Sequence, residues 1–193
     1  MRFVNSVRNS AVMLLWQLLN VVAGFVLRTV FIKQLGFDYL GLNSVMESVL
    51  MLLSMAELGI GTSVAFALYG PIERGDEAKI GTLMAFYRRV YHVIAIITAV
   101  LGLLLVPFLN VITNGAADVI PNVTAIYLLF LTNTVLSYFF SYRRTLVSAY
   151  QLHYINSTNE NIFLLIKYIL QAVVLIVSRN YLLFLVIQIC CVF

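Results

Sequence analysis

Four charged side chains, Arg28, Glu47, Glu57 and Lys167, interrupt long apolar runs in this 193-residue chain. A charge at the centre of a bilayer costs about 2.5–3.5 kcal/mol on insertion scales. Side chains of this kind must face one another or a cavity that holds water. Polar and small residues extend each charge into a stripe. Gln17, Asn20, Gly24 and Arg28 follow one another at intervals of three, four and four. Asn43, Glu47, Ser54, Glu57 and Gly61 follow at four, seven, three and four. Asn133, Ser137 and Ser141 lead to Arg144, and Glu160, Lys167, Gln171 and Ser178 make a fourth series. Helical periodicity puts each series on one face.

Such stripes admit two kinds of chemistry. One is structural: buried ion pairs that fix helix contacts. At 1.5 Å per residue, Arg28 lies about 12 Å below the outer end of its run and Glu47 at about the same depth. On the same scale Glu57 is about 27 Å from that end, and Lys167 is about 9 Å from the inner one. Two pairs are therefore expected, Arg28 with Glu47 and Lys167 with Glu57. The other chemistry is a hydrated, cation-lined path for a polar or anionic substrate, with Gln17, Asn20, Asn43 and Gln171 as hydrogen-bonding partners. Four stripes are more polar surface than two ion pairs require, which favours the path.

The elements that position these residues follow from composition. The chain is 62% hydrophobic and 10% charged, against about 45–50% and 25% in soluble domains. Twenty charged side chains cannot coat a soluble globule of this size. A soluble enzyme and a disordered chain are excluded on this ground. The net charge of +4 does not point to nucleic acid, because the basic residues are scattered over loops rather than gathered on one face. The expected fold is an all-α, polytopic transmembrane bundle of about six helices in one domain, over 11–35, 39–69, 87–112, 123–143, 161–178 and 181–193. A barrel would need short alternating segments, and these runs are continuous. The second run is too long for one crossing, so a bend at Gly59 or Gly61 is expected. The sixth is too short to cross about 30 Å of hydrocarbon, from which we expect the front part of a longer protein.

Orientation follows from the basic residues. With the N-terminus inside, eight of the twelve Lys and Arg fall on the inner side, and Lys33 and Arg179 near the outer ends. That bias sets topology. The N-terminal run is too long for a signal peptide and is followed by Arg28 and Lys33. In the loop 70–75, Pro71 and Gly75 form a break, and Asp76 has the character of an N-cap for a helix through Arg89. Arg88, Arg89, Tyr91 and His92 suit interfacial anchoring. Ala95, Ala99 and Gly102 read as a close-packing face. His92 and His153 have no carboxylate at ligand spacing, and adjacent Cys190 and Cys191 have neither zinc nor redox spacing, so neither metal nor cofactor is expected. Asn122-Val123-Thr124 and Asn156-Ser157-Thr158 match the glycosylation pattern, a motif too short to weigh.

Several motifs resemble one family. They are 24–32 (GFVLRTVFI), Leu35-Gly36, 39–42 (YLGL), 56–61 (AELGIG), 66–69 (FALY) and 86–91 (FYRRVY). Downstream, 142–146 (YRRTL) and 154–157 (YINS) continue the likeness. The chain resembles the N-terminal part of bacterial polysaccharide-biosynthesis membrane proteins. These are lipid-linked oligosaccharide flippases of the multidrug/oligosaccharidyl-lipid/polysaccharide (MOP) exporter superfamily. The resemblance implies one lobe of a two-lobed transporter in the bacterial cytoplasmic membrane. Its partners would be a second, C-terminal lobe, membrane lipids and a polyprenyl-pyrophosphate-linked oligosaccharide. Arg28 would then hold the pyrophosphate, Glu47 would balance it in the empty site, and Gly59 and Gly61 would bend. Alternatives are a multidrug or ion-coupled exporter, a membrane-bound glycan polymerase or ligase, and a non-transporting scaffold. The outer loop 113–122 offers only Asp118 for catalysis.

Overall fold

The computed structural model describes residues 2–55, 59–113, 115, 120–150 and 153–191. Among them there are helices and turns and no strand, so the all-α class is the observed one. The order is α1 (Arg2–Leu35), α2 (Phe37–Ser54), α3 (Ile60–Glu73) and α4 (Glu77–Leu105). There follow a 3-10 turn (Val106–Phe108), α5 (Leu109–Ile112), α6 (Val123–Ala149), α7 (His153–Ser178) and α8 (Tyr181–Cys190).

Four stretches are long and apolar enough to cross a membrane: Leu14–Leu35, Glu77–Ile112, Val123–Val147 and Ser157–Ser178. They match the expected first, third, fourth and fifth spans. The expected second span divides. Its first half, α2, ends at Ser54, and α3 starts after Gly59, whose φ of 87° is left-handed. That region is costly for any residue with a Cβ. The break therefore falls at Gly59; residues 56–58, Glu57 included, lie outside the described residues. Gly61 sits inside α3 and is no hinge. A Cβ there would lie 3.4 Å from the Tyr91 hydroxyl, so it lets α3 approach α4. The expected sixth span is observed as the short apolar helix α8.

Local chemistry sets the other boundaries. α1 turns into α2 through Gly36 alone, at φ 91°. α3 continues past Pro71 to Glu73, so the break expected at 70–75 comes at its end. There Asp76 N–H bonds to the Pro71 carbonyl (3.0 Å) and Gly75 N–H to the Ile72 carbonyl (3.2 Å), a Schellman closure around left-handed Gly75. Asp76 then caps α4, its Oδ1 accepting from Lys79 N–H at 3.0 Å, as expected. Pro107 sits in the 3-10 turn that ends the long helix, because a proline cannot donate to the α-helical ladder. Asn180 caps α8 by accepting from the amides of Leu182 and Leu183.

α6 is the hub of the bundle, touching α2, α3, α4, α7 and α8. Its longest seam is with α4, where the two helices run antiparallel: the Tyr127 hydroxyl donates to the Gly102 carbonyl (2.8 Å), and His92 meets Phe139 edge-on. α1 packs along α7 in parallel, with Asn20 bonded to Asn161 and Gly24 beside the Tyr168 ring. Alternation among crossings gives this direction when α2 and α3 together make one crossing between α1 and α4. Tyr181 and Phe184 of α8 meet Phe31 edge-on and close the main core beneath α1, α2 and α6. The outward faces are apolar: Phe25, Val100, Val111 and Val177 are all more than half exposed. Water would penalise such a surface; hydrocarbon does not. Length, composition and outward face together make this a membrane protein.

Candidate functional site

The site is built around α7. Glu160, Lys167 and Gln171 stand seven and four residues apart, on the face turned away from α7's exposed stripe of Ile162, Ile166, Ile169 and Val173. Two cavities open along this face. The first, about 440 Å³, lies between α6 and α7. Ser137, Ser141 and Arg144 line it from α6, Glu160 and Lys167 from α7, and Cys191 from beyond α8. The second, about 320 Å³, lies between α1, α2, α7 and α8, with Arg28, Asn43, Glu47, Lys167 and Gln188 on its walls. Lys167 stands on the walls of both, and the two together are called the polar cleft below. Its Nζ stands 5.4 Å from the centre of the Tyr168 ring, within cation–π range.

Glu47 is held differently from the expectation. It shares the cleft with Arg28, but no ion pair within 4.0 Å joins these two. Instead the Asn43 Nδ2 donates to Glu47 Oε1 at 2.9 Å, and the Tyr181 hydroxyl donates to Asn43 Oδ1 at 2.9 Å. The tyrosine fixes which way the amide points, and the amide then presents its donor to the carboxylate. One neutral hydrogen bond leaves most of the carboxylate's acceptor capacity turned to the cleft. The other expected pair joined Lys167 to Glu57. Glu57 lies outside the described residues, and Lys167 shares its cavity with Glu47. The depth estimate for Glu57 assumed that the helix from Tyr39 reaches that residue, and α2 ends before it, at Ser54.

The remaining expected residues divide. Gln17 is exposed and lines neither cavity. Asn20 is buried and tied to Asn161, so it fastens α1 to α7 and lines neither cavity. Gln171 is 2% exposed, and its Nε2 donates to the Phe184 carbonyl at 3.2 Å. It is a wall of the second cavity and the fastening of α8 to α7. Ser137 and Ser141 donate to carbonyls of their own helix, leaving their oxygen lone pairs for a ligand. The Arg144–Glu160 pair spans 3.4 Å with both side chains 55% exposed, so it contributes at most about 1 kcal/mol.

The cleft thus collects three cations, Arg28, Lys167 and Arg144, against two carboxylates, Glu47 and Glu160. The surplus suits an anion, and Arg28 offers the planar fork that binds phosphate oxygens in pairs. Amides and hydroxyls around it match the hydrogen-bonding needs of a polyol. Sequence reasoning missed Tyr181, which orients Asn43, and the amides of Asn159 in the first cavity and Gln188 in the second. Gln188 had a signal: it is the lone amide in the run Tyr181–Cys190, seven residues after Tyr181. Tyr181 carried none, because its role depends on which helix faces it. Among the described residues, no three His, Cys, Asp or Glu side chains gather at metal-binding distance. No family model, no curated protein and no solved structure matches this chain.

Proposed function

We propose that this chain is part of a flippase that moves a polyprenyl-pyrophosphate-linked oligosaccharide across the bacterial cytoplasmic membrane, with its N-terminus inside. The observation that carries this reading is the position of Lys167, shared by two cavities that hold a surplus of one positive charge. A pyrophosphate needs such a surplus to leave water, because an unpaired anion in a low-dielectric layer is prohibitively costly. Arg28 would grip the pyrophosphate, Lys167 would pass it along the α7 face, and the serines and Gln188 would meet sugar hydroxyls. The prenyl tail would stay in lipid beside the apolar outer faces. Glu47, oriented by Asn43, would balance the cations between cargoes. By the family resemblance, the cleft works against a second lobe and opens alternately to either side.

The test uses the full-length gene in cells that depend on it for glycan export. Arg28→Gln and Lys167→Gln should each accumulate lipid-linked glycan at the inner leaflet, with at least tenfold less exported and with protein levels unchanged. Export at wild-type rate in both variants would sink the assignment.

A further inference from the structure

A separate feature lies on the outer face of α4. Ala85, Arg88, Arg89, His92 and Val93 line a shallow cavity of about 590 Å³, with no Asp or Glu on its walls among the described residues. Both arginines are exposed, and among the described residues no carboxylate lies within ion-pair distance of either. The His92 Nδ1 faces the Arg88 carbonyl at 2.5 Å, so it must carry the proton and donate. Nε2 is then the acceptor of the neutral ring, so Arg88 and Arg89 are the groups here that donate to an anion. Arg143 of α6 comes near in height but does not line this cavity. His92 meets Phe139, so Arg143 lies at the height of Arg88 on the neighbouring helix. Arg143 is exposed and held over its own Tyr142 ring.

What continues from this patch identifies the ligand. Val93, Ile96, Val100 and Leu103 follow Arg89 at intervals of four, three, four and three, and all four are about half exposed. They extend one face of α4 from the arginines into the membrane-spanning stretch. Val93 to Leu103 rises about 15 Å, half the thickness of the hydrocarbon core. A free anion would use the arginines and ignore that stripe. A molecule with a phosphate head and an acyl chain one leaflet long uses both.

We propose that Arg88, Arg89 and His92 form a binding site for an anionic phospholipid. Its phosphate would sit in the arginine-lined cavity and one acyl chain along Val93, Ile96, Val100 and Leu103. This site is distinct from the polar cleft and does not depend on the flippase reading.

Native mass spectrometry of the full chain, released from nanodiscs with equal phosphatidylglycerol and phosphatidylcholine, tests it. The wild type should retain phosphatidylglycerol at least fivefold over phosphatidylcholine. R88Q/R89Q should lower that preference to near one, and R88K/R89K should keep most of it. V93S/V100S should weaken retention of phosphatidylglycerol while leaving inorganic phosphate binding unchanged. If R88Q/R89Q does not fold, R89Q alone should still halve the preference. Equal retention of both lipids by the wild type would overturn the proposal. So would an unchanged preference in R88Q/R89Q, or displacement of the lipid by millimolar inorganic phosphate.

Discussion

The seam between α4 and α6 and the cleft along α7 lie in the same bundle and are built on opposite rules. In the seam, Ala95 and Thr98 are fully buried, and Gly102 brings the backbones so close that a Cβ there would stand 2.3 Å from Leu131 Cδ1. The Tyr127 hydroxyl ends on the Gly102 carbonyl within that contact. In the cleft, charged side chains face open volume and the nearest cation to each acid is, Arg144 and Glu160 apart, not in contact. Between helices in lipid there is no hydrophobic driving force, so adhesion comes from close van der Waals contact and hydrogen bonds. The seam supplies that adhesion. The cleft supplies less of it, through the Tyr181–Asn43 and Gln171–Phe184 hydrogen bonds on its walls.

Substitutions should separate the two regions on one scale of unfolding free energy, measured by SDS titration in mixed micelles. The largest loss is expected for Gly102→Val, about 2–3 kcal/mol, since overpacking a filled site costs about 1–3 kcal/mol. Adding Leu131→Ala should recover part of it, because the two residues share one contact. Tyr127→Phe should lose about 1 kcal/mol, the usual worth of a buried hydrogen bond. Arg144→Gln and Lys167→Gln should change stability by less than about 0.5 kcal/mol, as the first removes an exposed pair and the second a cation without an ion-pair partner among the described residues. A cleft variant as destabilising as Gly102→Val would erase the distinction.

The two regions also differ in how much of them was legible in the sequence. The seam was readable because Ala95, Ala99 and Gly102 mark a close approach whatever helix arrives. The stripes of α6 and α7 were readable for the same reason, as periodicity along one helix needs no partner. Partners across helices were not readable. Asn20 fell in a stripe with Arg28, yet it bonds Asn161 and fastens two helices, while Arg28 lines the cleft. Glu47 was matched to Arg28 by depth, but the amide one turn away reaches it first. Depth along a helix leaves rotation about its axis free, and rotation decides which of two same-level groups meet. The break at Gly59 was visible as a glycine, but its neighbour Gly61 carried the same signal. Only the backbone conformation separates a left-handed stop from a helical contact.

The wet cleft is the central claim, and cysteine accessibility in lipid nanodiscs tests it most directly. With Cys190 and Cys191 replaced by serine, single cysteines at Ser44, Ser141 and Gln188 report on the cleft, Ala95 on the seam and Glu77 on bulk water. The cleft positions should react with a charged, membrane-impermeant thiol reagent at least tenfold faster than the Ala95 position and within tenfold of the Glu77 position. Cleft cysteines as unreactive as the one at Ala95, with the Glu77 control fully labelled, would contradict the account.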